Sequence, residues 1–242
     1  MDQIALVSFA KNPKKENYKT RLFADIKCSD RVQKTYELLL KITNETLLDS
    51  MQLPNVKSYW AINSSPTDLP DYFSKQIELI QQGSGTLGNR LHEVYSKLKR
   101  SHKKVIIIGS DLPFLRTELV AETITKLNDF ETVIGPSHDG GFYLFASQAD
   151  LRSTFWTDVK YSQTDTLMQL TQPLENSSIS YLDNLTDIDD LESFTIAVEK
   201  LRKNSGTIEL FQKELVHFFD TEIQFSAKNN LTVNAPSALS AL

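Results

Sequence analysis

Three clusters of acidic and small residues have the types and placement that metal and phosphate chemistry requires. The first is Gly109-Ser110-Asp111-Leu112-Pro113, directly after the apolar run Val105-Ile106-Ile107-Ile108. A carboxylate at the carboxyl end of a central strand stands in the crevice where open α/β sheets bind their ligands. Hard oxygen donors suit Mg²⁺ or Mn²⁺, which phosphate-handling sites hold with one or two carboxylates and substrate oxygens. A capping role would also place an Asp here, and Pro113 reads as the start of the following helix. The second cluster is Thr186-Asp187-Ile188-Asp189-Asp190. Acids at a helix N-terminus are explained by capping and by the helix dipole, and they are equally able to supply further carboxylates to a metal. The third is Gly135-Pro136-Ser137-His138-Asp139-Gly140-Gly141. Its adjacent glycines allow close backbone approach to a ligand. Asp139 beside them is placed to contact an acceptor hydroxyl or to complete a metal site. Asp-Gly is also the commonest hairpin dipeptide, but this loop is longer than a two-residue turn. That length favours the ligand role. His138 reads equally as a surface residue.

Cations and glycines add two further features. The basic stretch Lys11, Lys14, Lys15, Lys19-Thr20-Arg21 follows the first strand, where a polyphosphate would be gripped. Arg21 offers bidentate contact and Lys19 a point charge, whereas Lys14 and Lys15 read as solvated charges. Gly83-Ser84-Gly85-Thr86-Leu87-Gly88 matches G-x-G-x-x-G, and Asp111 follows at about the spacing of a ribose-binding acid. An NAD-type oxidoreductase is therefore a rival reading. Against it, the motif sits in mid-chain, flanked by Gln82 and Arg90 as if to serve a polar ligand. The sequence contains no P-loop, HExxH or GxSxG pattern.

The elements that must position these residues alternate along the chain. Strands are predicted at Ile4–Phe9, Val56–Ile62, Val105–Ile108, Thr132–Ile134 and Phe142–Phe145, with another possible at Ile77–Ile80. Helical periodicity is predicted after Asp30, through Val32, Leu38, Leu39 and Ile42. It recurs over Asn89–Lys99, Thr117–Leu127 and Asp189–Arg202. A run such as Val105–Ile108, apolar at every position, belongs to a parallel strand covered on both faces. The alternation predicts a doubly wound α/β sandwich. A boundary is expected near Asn204-Ser205-Gly206, giving a core of residues 1–204. The extension, 205–242, has a helix-like piece at Thr207–Phe219, and Phe218 and Phe219 are expected to pack on the core or on a partner subunit, which would make a homodimer.

Bulk properties narrow the class. The chain has 242 residues, 24% of them charged, with a net charge of −5, which argues against nucleic-acid binding. The single Cys28 excludes an intramolecular disulfide and a Cys-rich zinc site and fits a reducing compartment. No apolar run is long enough to span a bilayer and the N-terminus lacks signal-peptide character, so a cytoplasmic location is expected.

Taken in order, the motifs resemble the DUF2064 family. They are Phe9-Ala10-Lys11, Lys19-Thr20-Arg21-Leu22, Gln82-Gly83 through Leu87-Gly88, Arg90-Leu91, Gly109-Ser110-Asp111-Leu112-Pro113, Gly135-Pro136 with Asp139-Gly140-Gly141, and Asp187-Ile188-Asp189. The resemblance covers roughly residues 3–202. It implies a glycosyltransferase-like protein of GT-A (nucleotide-diphospho-sugar transferase) fold, of a kind described as radical-SAM-associated transferases. More distantly, the chain is similar to guanylyltransferases of molybdenum-cofactor and phospholactate metabolism. On this resemblance Lys11, Lys19 and Arg21 lie in the nucleotide-phosphate loop, and Ala10, Gly83, Arg90 and Ser110 join them as nucleotide-binding positions. Asp111 is the metal-binding acid, with Asp187 and Asp189 as its partners. Asp139 lies by the acceptor together with Gly140 and Gly141. The expected activity is transfer from a nucleotide-activated donor, a nucleotide sugar or an NTP, to a small-molecule acceptor with Mg²⁺ or Mn²⁺ as cofactor. The chain departs from the family where Lys15-Glu16 replaces a Pro-Gly, and where Tyr161 replaces a Trp. An acid beside bound phosphates repels them, so a non-catalytic nucleotide-binding protein is a further alternative.

Overall fold

In the computed structural model, which describes residues 3–15, 22, 29–203 and 208–224, the apolar runs become the inner strands of one sheet. Strands β1 (Ile4–Phe9) and β4 (Lys104–Gly109) lie parallel, in register from Ile4 opposite Lys104 to Phe9 opposite Gly109. Their side chains alternate between two cores. Ile4, Leu6, Ile106 and Ile108 enter one, and Ala5, Val7, Val105 and Ile107 the other. A strand covered on both faces must be apolar at odd and even positions alike, hence continuous runs in place of alternation.

The described sheet has seven strands in the order β3-β2-β1-β4-β6-β5-β7, where β2 is Val56–Ala61, β3 Glu78–Ile80, β5 Thr132–Pro136, β6 Phe142–Ser147 and β7 Ile179–Tyr181. Strand β6 runs antiparallel to β4 and β5, and the other pairings are parallel. The all-parallel surroundings inferred for Val105–Ile108 thus hold on its β1 side alone. Its other neighbour arrives by a hairpin, which only antiparallel strands can use.

Helices cover both faces. Helices α1 (Ser29–Ser50), α3 (Thr117–Lys126), α6 (Leu191–Lys203) and α7 (Leu210–Phe218) contribute to the first core. Helices α2 (Leu87–Lys99), α4 (Ser153–Thr157) and α5 (Thr166–Thr171) contribute to the second. Asp30 falls within the first turn of α1, where its charge complements the helix dipole. Pro113 does not start a helix: a turn intervenes and α3 begins at Thr117. At the other end, α7 continues as a π-helical turn over Phe219–Gln224. Leu215, Phe219 and Ile223 are buried in the first core, with the Phe219 ring 4.9 Å from that of Phe194. Gln212, 3% exposed, donates from Nε2 to the carbonyls of Pro113 (2.9 Å) and Leu115 (3.4 Å). The described part of the C-terminal extension therefore props the loop that follows β4. Residues 204–207, where a boundary was expected, and 225–242 lie outside the described residues. Among the described residues no helix is long and apolar enough to cross a membrane.

Helix α2 meets α4 at Gly88, where a Cβ would stand 2.3 Å from the Trp156 carbonyl oxygen. Gly88→Ala should therefore push the two helices apart and lower stability by about 1–3 kcal/mol. Urea or thermal unfolding checks this, and an unchanged midpoint would disprove the close approach.

Candidate active site

Strand order reverses between β1 and β4, so the chain leaves these neighbours in opposite directions and opens a crevice at their carboxyl ends. Ala10 and Lys11 leave β1 there beside Ser110 and Asp111 from β4. A polar lattice fixes the β1 side. The Ala10 N–H donates to the Ala61 carbonyl (3.1 Å), and Gln82 Nε2 donates to the carbonyls of Ala10 (2.9 Å) and Ala61 (2.6 Å). Gln82 is 7% exposed, and a buried amide needs such partners. Its amide nitrogen thus serves backbone, where the sequence suggested a ligand. The Lys11 backbone donates to the Tyr36 hydroxyl (2.9 Å), which donates back to the Lys11 carbonyl (3.1 Å), while the Lys11 residue itself is exposed. Asn12 Nδ2 donates to Ser64 Oγ (2.6 Å), tying the loops after β1 and β2. Sequence reasoning passed over Asn12 and Ser64, because nothing local marks a polar loop residue as buried. Lys19 and Arg21, the foremost phosphate-binding candidates, and Glu16 lie outside the described residues.

Asp111, Asp187 and Asp189 come together on the β4 side. Each offers a carboxylate oxygen, and the three atoms lie within 4.8 Å of one another. Two features produce the convergence. First, the Ile188 N–H donates to the Asp111 carbonyl (3.0 Å), and the Ile188 side chain is fully buried in the first core. The acids on either side of it are therefore held beside Asp111. Second, Gly109 makes room: a Cβ there would stand 2.8 Å from Asp111 Oδ1. Capping falls to the third acid. Asp190 Oδ1 accepts from the Ser193 N–H and hydroxyl (2.8 Å each), while Ser193 Oγ accepts from the N–H groups of Asp189 and Asp190 (3.0 Å each). The three carboxylates are half-buried, and like charges at this spacing are drawn together by a cation placed between them. The donor set is all oxygen, with no His or Cys, which fits Mg²⁺ or Mn²⁺ and not a soft metal.

The third motif is the connection of the β5–β6 hairpin. Ser137 N–H bonds the Gly141 carbonyl (3.1 Å), and Asp139 Oδ1 accepts from Ser137 Oγ (2.5 Å) and the Gly141 N–H (3.0 Å). The hairpin role that the loop's length argued against is thus real, and Asp139 stabilises it while remaining exposed. Gly140 has φ +88°, and a Cβ there would meet the Thr164 carbonyl oxygen at 2.0 Å, so only glycine fits. The hairpin is joined to the acidic segment by backbone bonds from His138 N–H to the Leu185 carbonyl (3.1 Å) and from Leu185 N–H to the Pro136 carbonyl (3.2 Å). Tyr143 crosses over Gly135, where a Cβ would overlap its ring, and donates to the Asp183 carbonyl (3.0 Å).

The glycine loop Gly83–Gly88 follows edge strand β3, with β2 and β1 between it and β4. The spacing of a dinucleotide fingerprint is present, but its acid is on a non-adjacent strand, so the geometry that binds a ribose beside the glycine turn is missing. Thr86 caps α2 reciprocally with Asn89, and Arg90 Nε donates to the Gly85 carbonyl (3.2 Å). Ser110 is buried at the end of β4.

Comparison with known proteins follows the same geometry. The family profile described as "Uncharacterized protein conserved in bacteria (DUF2064)" matches residues 54–163. The chain is similar to that family over this span, which is somewhat under half of its length. The matched segment holds the Asp111 loop and the β5–β6 hairpin, and ends before Asp187 and Asp189. No curated protein matches the chain. A solved candidate nucleotide-diphospho-sugar transferase from Desulfovibrio desulfuricans G20 superposes with TM-score 0.78 at 20% identity, covering 91% of this chain and 96% of that one. A cytidylyltransferase from Leptospira borgpetersenii serovar Hardjo-bovis gives 0.55 at 11% identity with both chains fully covered. The 4-diphosphocytidyl-2C-methyl-D-erythritol synthase of Anaerococcus prevotii DSM 20548 gives 0.53 at 15%, covering 83% of this chain and 96% of that one. The fold is that of the nucleotide-diphospho-sugar transferases, GT-A-like.

Three tyrosines around this framework, Tyr95, Tyr143 and Tyr161, have phenols held well above their ordinary value, mainly by burial. Each donates to a backbone carbonyl, of Ala149, Asp183 and Trp156 respectively. In the unfolded chain they ionise near pH 10, whereas the folded state keeps them neutral. Their contribution is thus complete below that pH and falls as pH rises beyond it. Unfolding free energy measured from pH 9 upward should drop more gently for Tyr143→Phe than for the parent. Equal slopes would rule out a buried neutral phenol at this position.

Proposed function

We propose that this protein is a transferase acting on a nucleotide-activated substrate, with a nucleotide-diphospho-sugar as donor. The convergence of Asp111, Asp187 and Asp189 at the switch between β1 and β4 is the observation that carries the reading. In this proposal the three carboxylates hold Mg²⁺ or Mn²⁺, which when bound neutralises charge developing on the donor phosphates. The remaining work belongs to the chain. Lys11 steadies the phosphates together with Lys19 and Arg21, and Ala10, Gly83, Arg90 and Ser110 border the nucleotide. Asp139, whose Oδ1 braces the hairpin, presents its other oxygen to orient the acceptor hydroxyl and receive its proton. Gly140 and Gly141 let the acceptor come close. A cytoplasmic setting goes with the lone Cys28.

A second reading, nucleotidyl transfer from an NTP, is favoured by the similarity to a structure named as a cytidylyltransferase. The bonds broken differ. Glycosyl transfer cleaves the sugar–phosphate bond and releases a nucleoside diphosphate, whereas nucleotidyl transfer attacks the α-phosphate and releases pyrophosphate.

A thermal-shift screen of nucleotide sugars and NTPs with and without Mn²⁺ tests the binding. A nucleotide present at 100 times its Kd should stabilise the protein by about 2.7 kcal/mol, and Mn²⁺ should enlarge the shift. Asp111→Asn should remove the Mn²⁺-dependent part. Gly109→Ala should weaken it while all three acids remain, because the added methyl displaces the Asp111 carboxylate. Shifts indifferent to Mn²⁺ in the parent protein would refute the metal site. Phosphate products from the nucleotide that binds then separate the two transfer reactions.

A further inference from the structure

Lys200 of α6 lies against both the acidic segment and the β5–β6 hairpin. Lys15, Lys41 and Lys57 are matched by carboxylates at 2.6–2.7 Å. Lys200 has no ion pair among the described residues, and its partners there are a hydroxyl and an imidazole at long range. Its Nζ lies 3.3 Å from Thr186 Oγ1 and 3.4 Å from His138 Nε2. An N–H···O bond is usually nearer 2.9 Å, and an ammonium carries three donors. The sequence of α6 also withholds an intrahelical acid. Positions three and four away are Ile196, Ala197, Lys203 and Asn204, so no i,i+3 or i,i+4 pair is available.

Three chain segments meet at this lysine. Thr186, buried, is the residue before Asp187, and His138 is the residue before Asp139. The ammonium thus sits one residue from the acidic cluster and one residue from the acid assigned to the acceptor.

We propose that Lys200, Thr186 and His138 form an anion subsite that receives a phosphate or carboxylate group of the acceptor. The assignment to the acceptor rests on the transferase reading above, while the existence of the subsite does not. The acceptor is then an acidic small molecule that presents its hydroxyl to Asp139 and its anionic group to Lys200. Thr186 Oγ1 accepts from the ammonium and keeps its own O–H to donate to the anion, while His138 Nε2, accepting from the same ammonium, helps to hold it in place.

The test uses the full chain without metal or nucleotide. Inorganic phosphate and acetate are titrated separately, and the backbone amide resonances of Thr186 and His138 are followed by NMR. One or both anions should shift these resonances saturably, and the stronger of the two tells phosphate from carboxylate. Lys200→Met should weaken that binding about tenfold or more with its melting temperature unchanged, and Lys200→Arg should retain it. No saturable shift with either anion, or equal affinity in Lys200→Met, overturns the subsite. The Mn²⁺-dependent nucleotide shift is measured in parallel. It should be the same in Lys200→Met as in the parent, and a parallel loss would assign the lysine to the donor phosphates and overturn the acceptor role. Absence of nucleotide binding in both proteins would count against the transferase reading alone, since the anion titration judges the subsite by itself.

Discussion

The backbone hydrogen bond from Ile188 to the Asp111 carbonyl makes one site out of two distant loops. It works because Ile188 is anchored in the core beneath it. A buried isoleucine flanked by two aspartates leaves those aspartates at the surface on either side of a fixed point. Like charges gathered this way disfavour folding unless the surroundings impose the arrangement. Here the first core imposes it through Ile188, and Gly109 leaves the space that Asp111 needs.

The rest of the carboxyl edge is braced toward that point. On the β1 side, Gln82 and Tyr36 hold loop backbone, and Asn12 accepts from the Lys14 N–H while donating to the Ser64 hydroxyl. On the other side Tyr143 holds Asp183, and the hairpin pairs with Leu185, so the chain reaches Asp187 on a defined path. Gln212 of α7 supports the carbonyls of Pro113 and Leu115. These bonds are mostly side chain to backbone, which fixes loops that have no ladder of their own.

Much of the scaffold was legible along the chain. Strands β1, β2, β4, β5 and β6 begin within a residue of their predicted starts, because buried strands must be apolar at consecutive positions. Strand β7, with three residues and Tyr181 half exposed, had no such signature, and five-residue α4 is too short to show helical periodicity. Pro113 suggested a helix start, yet Gln212 bonds its carbonyl in a turn instead. The antiparallel entry of β6 was equally invisible, since an apolar run reads the same in either direction.

By itself the sequence determined the alternating α/β pattern and the three acidic motifs, since burial on both faces and turn chemistry are local demands on residue type. Residue type alone left Asp187, Asp189 and Asp190 equivalent, and only the family resemblance singled out the first two. Tertiary structure separated them: Asp190 pairs with Ser193 to cap α6, and the other two flank Ile188 and meet Asp111. It likewise showed Gln82 holding backbone, where the sequence suggested a ligand. Those distinctions depend on which groups lie opposite one another across loops far apart in the chain. No residue's type or spacing carries that information, because it arises only when the core fixes where each loop emerges.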